Sequence, residues 1–216
     1  MEIQTKQVNI TQLFEENVVP HAQVKITDIR NQVIEIWNKE PIITQFPDVI
    51  GLIEPTDQIT LTVQNKRIII ANQQIIELIA RSNDKFIRLV VDCNKIINKP
   101  IKAFGFNYSF QLSLDKSEIK KFRSINQSLV NIKKLKINED KYIGNGLNIC
   151  YMDGRQRIQL IGMPMYSEDL KQVLSLDFQI NVHFFVSILP KFRDLQDKFI
   201  KHHSKIVKKL REIYAF

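Results

Sequence analysis

Two long runs of strict alternation constrain this chain more than any other feature. In one, Phe104, Phe106, Tyr108, Phe110, Leu112 and Leu114 fall on every second residue. In the other, Leu174, Leu176, Phe178, Ile180, Val182 and Phe184 do the same, separated by Ser175, Asp177, Gln179, Asn181 and His183. Side chains point to opposite faces of a strand with a period of two. Each run therefore predicts a long strand with one buried face. Small Gly105 and Ser109 lie on the second face of the first run, which is either closely covered or wet. The aromatic run could serve as a stacking platform for bases, but six apolar residues on one face read as core.

Further elements follow from turns and helical spacing. Ile59 to Gln64 and Arg67 to Ile70 flank Asn65-Lys66 and predict a hairpin. Leu147 to Met152 and Arg155 to Ile161 flank Asp153-Gly154, the pair favoured in type I′ turns. A helix is expected over about 73–81, and another from a cap at Ser82-Asn83-Asp84, carrying Phe86, Leu89, Val90, Cys93, Ile96 and Ile97 to a stop at Pro100. Asp115 or Ser117 offers a cap for a helix through Ile119 and Phe122. Val24–Ile29 and Val33–Trp37 alternate loosely and suggest a strand pair turning near Arg30-Asn31. Residues 1–20 read as an irregular or edge segment, and Pro41, Pro47 and Pro55 suggest loop between 40 and 58. Gly162 and Pro164 predict a loop to Leu170. The expected fold class is α+β: a mainly antiparallel sheet packed by helices, in a single domain over 1–216, with 1–56 as a loosely attached N-terminal part.

Pro190 opens a final helix to about Tyr214, about 36 Å long. Phe192, Leu195, Phe199, Ile206, Leu210 and Ile213 form its apolar stripe, with His202 expected half-buried between Phe199 and Ile206. Lys198, Lys201, Lys205 and Lys208 share another face. The stripe either docks on the chain's own sheet or pairs with the same helix of a second copy.

Charge is concentrated here. The net charge is +8. Residues 116–141 hold eight Lys/Arg against three Asp/Glu, and residues 190–216 again hold eight against three. Such clusters attract anionic partners. A nucleic-acid surface built from segments 116–141 and 190–212 would use Lys120, Lys121, Arg123, Lys133, Lys134, Lys136, Lys198, Lys201, Lys205 and Lys208.

Motifs for chemistry are absent from the sequence. It holds no P-loop, G-x-G-x-x-G, H-E-x-x-H or G-x-S-x-G motif. Adjacent His202 and His203 diverge by about 100° on a helix, so they do not chelate one metal together. Cys93 and Cys150 read as two reduced, buried thiols. Asp153, Glu168, Asp169 and Asp177 are the carboxylates that could converge on a small enzyme's site. No catalytic, metal or cofactor residue is assigned. No apolar run approaches the ~20 residues of a membrane helix, and no signal-peptide core is visible, so a cytoplasmic chain without membrane contact is expected.

The hairpin Ile59–Ala71, the Gly105-Phe106-Asn107-Tyr108 strand, Leu174–Phe185 and the ending Phe199–Tyr214 together resemble a sporadically distributed, functionally uncharacterised family of bacterial proteins, over residues 57–216. The resemblance implies no catalytic residue. The expected function is a non-enzymatic binding or assembly protein acting through protein surfaces, with a protein partner or a second copy. The alternatives are nucleic-acid binding through the basic segments and a small enzyme with a carboxylate-based site.

Overall fold

The computed structural model describes residues 2–56, 58–73, 83–115, 117–120, 146–168 and 173–213. Nine strands form one antiparallel sheet: β1 (Glu2–Phe14), β2 (Ile42–Phe46), β3 (Val49–Glu54), β4 (Ile59–Gln64), β5 (Arg67–Asn72), β6 (Ile101–Ser113), β7 (Leu147–Asp153), β8 (Gln156–Tyr166) and β9 (Val173–Phe184), in the order β2-β3-β4-β5-β1-β6-β9-β8-β7. Helices α1 (Val19–Val24), α2 (Ile26–Trp37), α3 (Asn83–Ile97) and α4 (Phe192–Ile213) complete the described elements. The α+β architecture with a long C-terminal helix is as expected. Among the described residues, no helix is long and apolar enough to cross a membrane.

The two alternating runs are the centre of the sheet. Phe104, Phe106, Tyr108, Phe110 and Leu112 of β6 are buried, as are Leu176, Phe178, Ile180, Val182 and Phe184 of β9. The pairs Phe106↔Val182 and Tyr108↔Ile180 set these faces in register. Above them lies α4, whose Leu195, Phe199, Ile206 and Leu210 are buried. The Phe199 ring stands edge-on to Phe106, with centroids 5.4 Å apart, and also meets Phe86 of α3 at 5.8 Å. The Tyr108 hydroxyl donates to the Phe199 carbonyl at 2.8 Å. Burial raises the Tyr108 pKa well above the usual phenol value. The stripe is thus occupied by this chain's own sheet, not presented to a second copy. Gln12 of β1 donates to the Val90 carbonyl at 3.0 Å and ties α3 to the same face.

Several expectations are corrected. The N-terminal residues are neither irregular nor an edge: β1 is hydrogen-bonded between β5 and β6. A bulge at Lys6, between Thr5 and Gln7, rephases the strand. Thr5 pairs with Phe110 on the helix-covered face, whereas Val8 and Ile10 hold that face after the bulge. The change of parity hides the alternation. Val24–Trp37 is helical, because Ile29, Val33, Ile36 and Trp37 recur at helical spacing and are buried. Asn38, at φ 54°, ends α2 in the left-handed conformation. Residues 42–54 form β2 and β3, with all three prolines just outside the strands, where no ladder donor is needed.

The second hairpin turn is displaced by one residue. Asp153 pairs with Gln156, so the two central residues are Gly154 and Arg155. Gly154 has φ +62° and Arg155 is not in the positive-φ region, the pattern of a type II′ turn with glycine first. The expected loop at Gly162 and Pro164 is instead part of β8. Pro164 pairs with Leu176 beyond Gly162, the last β8 residue paired with β7, so its missing N–H costs no ladder bond there. Leu174 lies exposed rather than buried because an irregularity opposite Met165 and Tyr166 shifts the start of β9. The helix expected over 73–81 and most of the one from Asp115 fall outside the described residues. At its start, Asp115 accepts from the backbone N–H of Ser117 and Glu118, while Glu118 accepts from the Asp115 N–H, a reciprocal cap. These bonds hold the Asp115 carboxyl below its ordinary range.

Gly162 is required by packing. A Cβ there would stand 2.6 Å from Cε1 of Phe178. Gly162→Ala is therefore expected to destabilise the fold by about 1–3 kcal/mol through overpacking, measured as a lower urea midpoint with an unchanged m-value.

Candidate functional site

Helices α3 and α4 lie against one face of the sheet, through Gln12 and Tyr108. Among the described residues, no helix covers the opposite face of the central strands. It forms a groove of about 550 Å³ across β5, β1, β6, β9 and β8. Register explains its composition. Asn9, Asn107, Asn181 and Gln159 lie directly opposite one another on four adjacent strands. The next row on one side is Gln7, Ser109, Gln179 and Ile161, and on the other Thr11, Gly105, His183 and Arg157. These are the residues between the core positions of each alternating run.

The asparagines form a relay. The Asn181 side-chain amide donates to Oδ1 of Asn107. The Asn107 amide in turn donates to Oδ1 of Asn9 at 2.6 Å and to Oγ1 of Thr11 at 3.2 Å. Each bond fixes an amide orientation across the strands. Nδ2 of Asn9 and Oδ1 of Asn181, the two ends of the relay, have no partner among the described residues, and both residues line the groove. Such a row offers a ligand both donors and acceptors.

Charge in the groove is one-sided. Among the described residues, its lining includes Arg67, Arg157 and His183 and no carboxylate. Burial, then the neighbouring Arg157 charge, lowers the His183 pKa below the ordinary value, so the ring is neutral near pH 7. Asp177 lies on the same face one row beyond Gln179, where Gln111 donates to it at 3.3 Å.

Of the sequence-predicted carboxylates, those among the described residues do not gather. Asp153 faces the α4 side and pairs with Lys205 at 2.7 Å, whereas Asp177 faces the groove side. Glu168 is exposed and Asp169 lies outside the described residues. The Lys205 hydrogen bond lowers the Asp153 pKa and correspondingly raises that of Lys205. Cys93 is buried, and burial pushes its thiol pKa up. Cys150 is exposed, contrary to expectation, because it stands on the open face of edge strand β7.

The basic segments are only partly placed. Lys120 is exposed, while Lys121, Arg123, Lys133, Lys134 and Lys136 lie outside the described residues. Lys198, Lys201, Lys205 and Lys208 are exposed along α4, as the spacing predicts. Their charge is diluted: Lys205 is paired with Asp153, Lys208 lies 3.9 Å from Glu212, and Lys198 and Lys201 share a shallow depression with Asp194 and Asp197. His202 is half-buried as expected, and its neighbour His203 is buried, 6% exposed, with Nε2 3.0 Å from the Thr5 hydroxyl. His202 packs at the margin against Phe106 and Phe184.

No protein-family model and no curated protein matches this chain. The assignment of function therefore rests on the geometry of the groove.

The residues that sequence reasoning passed over are Asn9, Thr11, Asn107, Gln159 and Asn181. On each strand they read as a solvated polar face. The signal lies only in their pairing, which needs the strand order.

Proposed function

We propose that this chain is a non-enzymatic binding protein that holds a polar ligand on the open face of its sheet. One observation carries this reading. Among the described residues, a groove spanning five strands is lined chiefly by an ordered row of amides and hydroxyls. Two features of the described residues support binding over catalysis. The lining contains no carboxylate, and the cysteine nearest to it stands beyond the rim on β7. The α4 stripe offers less as a binding surface because it is already buried. The lysine row of α4 offers less because half of it is engaged with carboxylates.

The test is a thermal-shift assay with the low-molecular-mass fraction of a cell extract. A ligand at a hundred times its Kd adds about 2.7 kcal/mol, or about 5–10 °C for a chain of this size. The wild type is expected to show such a rise, and Asn107→Leu to lose it while remaining folded. An equal rise in both proteins would place the ligand elsewhere, and no rise in the wild type would remove the reading.

A further inference from the structure

We infer that the His183 end of the groove is an anion subsite, which takes the carboxylate or phosphate of the polar ligand over the notch left by Gly105. The inference rests on the groove being the binding site. It is built from the row Thr11, Gly105, His183 and Arg157, whose members face one another on four adjacent strands.

Each member contributes differently. Gly105 leaves a gap in the floor. A Cβ there would stand 3.3 Å from the Val182 carbonyl oxygen and 3.5 Å from Nδ2 of Asn181, so the glycine keeps the floor low between Thr11 and His183. Thr11 borders one side of the notch, its hydroxyl donating to Oδ1 of Asn9 at 3.3 Å. His183 supplies a neutral ring on the other, held 4.5 Å from the Phe185 ring. Arg157 closes the row with a permanent charge. Its guanidinium lies 6.0 Å from the centre of the same Phe185 ring, and no carboxylate among the described residues pairs with it. A guanidinium presents a planar fork of donors that matches carboxylate and phosphate oxygens. It differs in this from Arg30 and Arg88, which are held by Glu40 and Glu35.

Asp177 lies six residues before His183 on β9, roughly 20 Å along the strand, too far to oppose an anion beside Arg157. Arg67 stands on the far rim, on β5, four strand spacings or roughly 19 Å from Arg157 along the sheet. Its guanidinium lies beside the Gln64 side-chain amide. One small anion cannot bridge both, so the subsite belongs to Arg157.

The experiment is an NMR titration of the intact chain with inorganic phosphate, acetate and acetamide, at ionic strength held constant with sodium chloride. Saturable shifts are expected at the Gly105 and Thr11 amides, the His183 ring and the Arg157 side chain with at least one of the two anions. Phosphate and acetate affinities then distinguish a phosphorylated from a carboxylate ligand. Arg157→Gln, an exposed substitution that leaves the core untouched, should weaken the response at least fivefold, and Lys201→Gln should not. Non-saturating shifts, or equal affinity in Arg157→Gln, would overturn the subsite. Shifts of the Asn107 and Asn181 side-chain amides with acetamide, and none with either anion, would overturn the subsite while sparing the groove. No response to any probe would overturn both.

Discussion

Phe199→Ala is expected to destabilise the protein by about 3–5 kcal/mol, the largest loss anticipated for a single side chain of α4. The ring is fully buried and touches Phe106, Tyr108 and Phe86 at centroid distances of 5.4, 5.3 and 5.8 Å. Removing it leaves a cavity where α4, α3 and β6 meet, and rigid aromatic neighbours on three sides cannot collapse into it. Lys201→Ala, two residues away on the exposed face, should change stability by no more than about 0.5 kcal/mol. Urea denaturation of both variants separates two accounts of the helix. A stripe that served a second copy would make Phe199→Ala nearly neutral in the isolated chain. A stripe docked on its own sheet makes it one of the most damaging substitutions available.

The second large effect is a dependence of stability on pH. Burial pushes the His203 imidazole down to about 4 from an ordinary 6.5. In the folded chain the ring is therefore neutral near pH 5, with Nε2 against the Thr5 hydroxyl, whereas in the unfolded chain it is protonated. Below pH 6.5 the unfolded state binds a proton that the folded state refuses. Stability is thus fully present above 6.5, declines as pH falls, and levels off below about 4. The loss attributable to this ring approaches about 3 kcal/mol. His202 and His183 are shifted in the same direction, chiefly by burial, and add to the slope. Urea midpoints between pH 7 and 4, for wild type and His203→Asn, measure the share. The variant should have a markedly shallower decline, with the His202 and His183 contributions remaining. An identical decline in both would show that the ring is protonated in the native state or exposed.

The two alternating runs and the 59–70 hairpin were readable because one physical signal, burial on a single face, runs through them from Phe104 to Leu112 and from Leu176 to Phe184. Where a second effect intervened, the reading failed. The Lys6 bulge breaks the phase of β1, so Ile3 and Val8 do not share a parity. In α2, Ile26, Ile29, Val33 and Trp37 satisfy a helical spacing and also a loose alternation over short windows. Only packing against the sheet decides between them. The prolines near 41–55 are real breaks, but they punctuate β2 and β3 instead of excluding them. The apolar stripe and lysine face of α4 were legible from spacing. Which of its two adjacent histidines enters the core was not, because 202 and 203 both lie close to the stripe.

The groove was the least legible feature. Asn9, Asn107 and Asn181 come from three segments separated by 98 and 74 residues. On any one strand, an asparagine between core positions is what a wet face requires. Their meaning depends on β1 lying between β5 and β6, and that in turn depends on the strand that the bulge conceals. The cationic segments drew attention because charge density is visible in one dimension, whereas an uncharged row of amides is not.

The measurement that bears most directly on the account is a side-chain amide NMR map of Asn9, Asn107, Gln159, Gln179 and Asn181, recorded as the small-molecule fraction of a cell extract is added. If the open face is the binding site, these resonances should shift together and saturate, while the amides flanking Lys198 and Lys201 on α4 stay in place. Shifts confined to α4, with the groove amides unmoved, would contradict it.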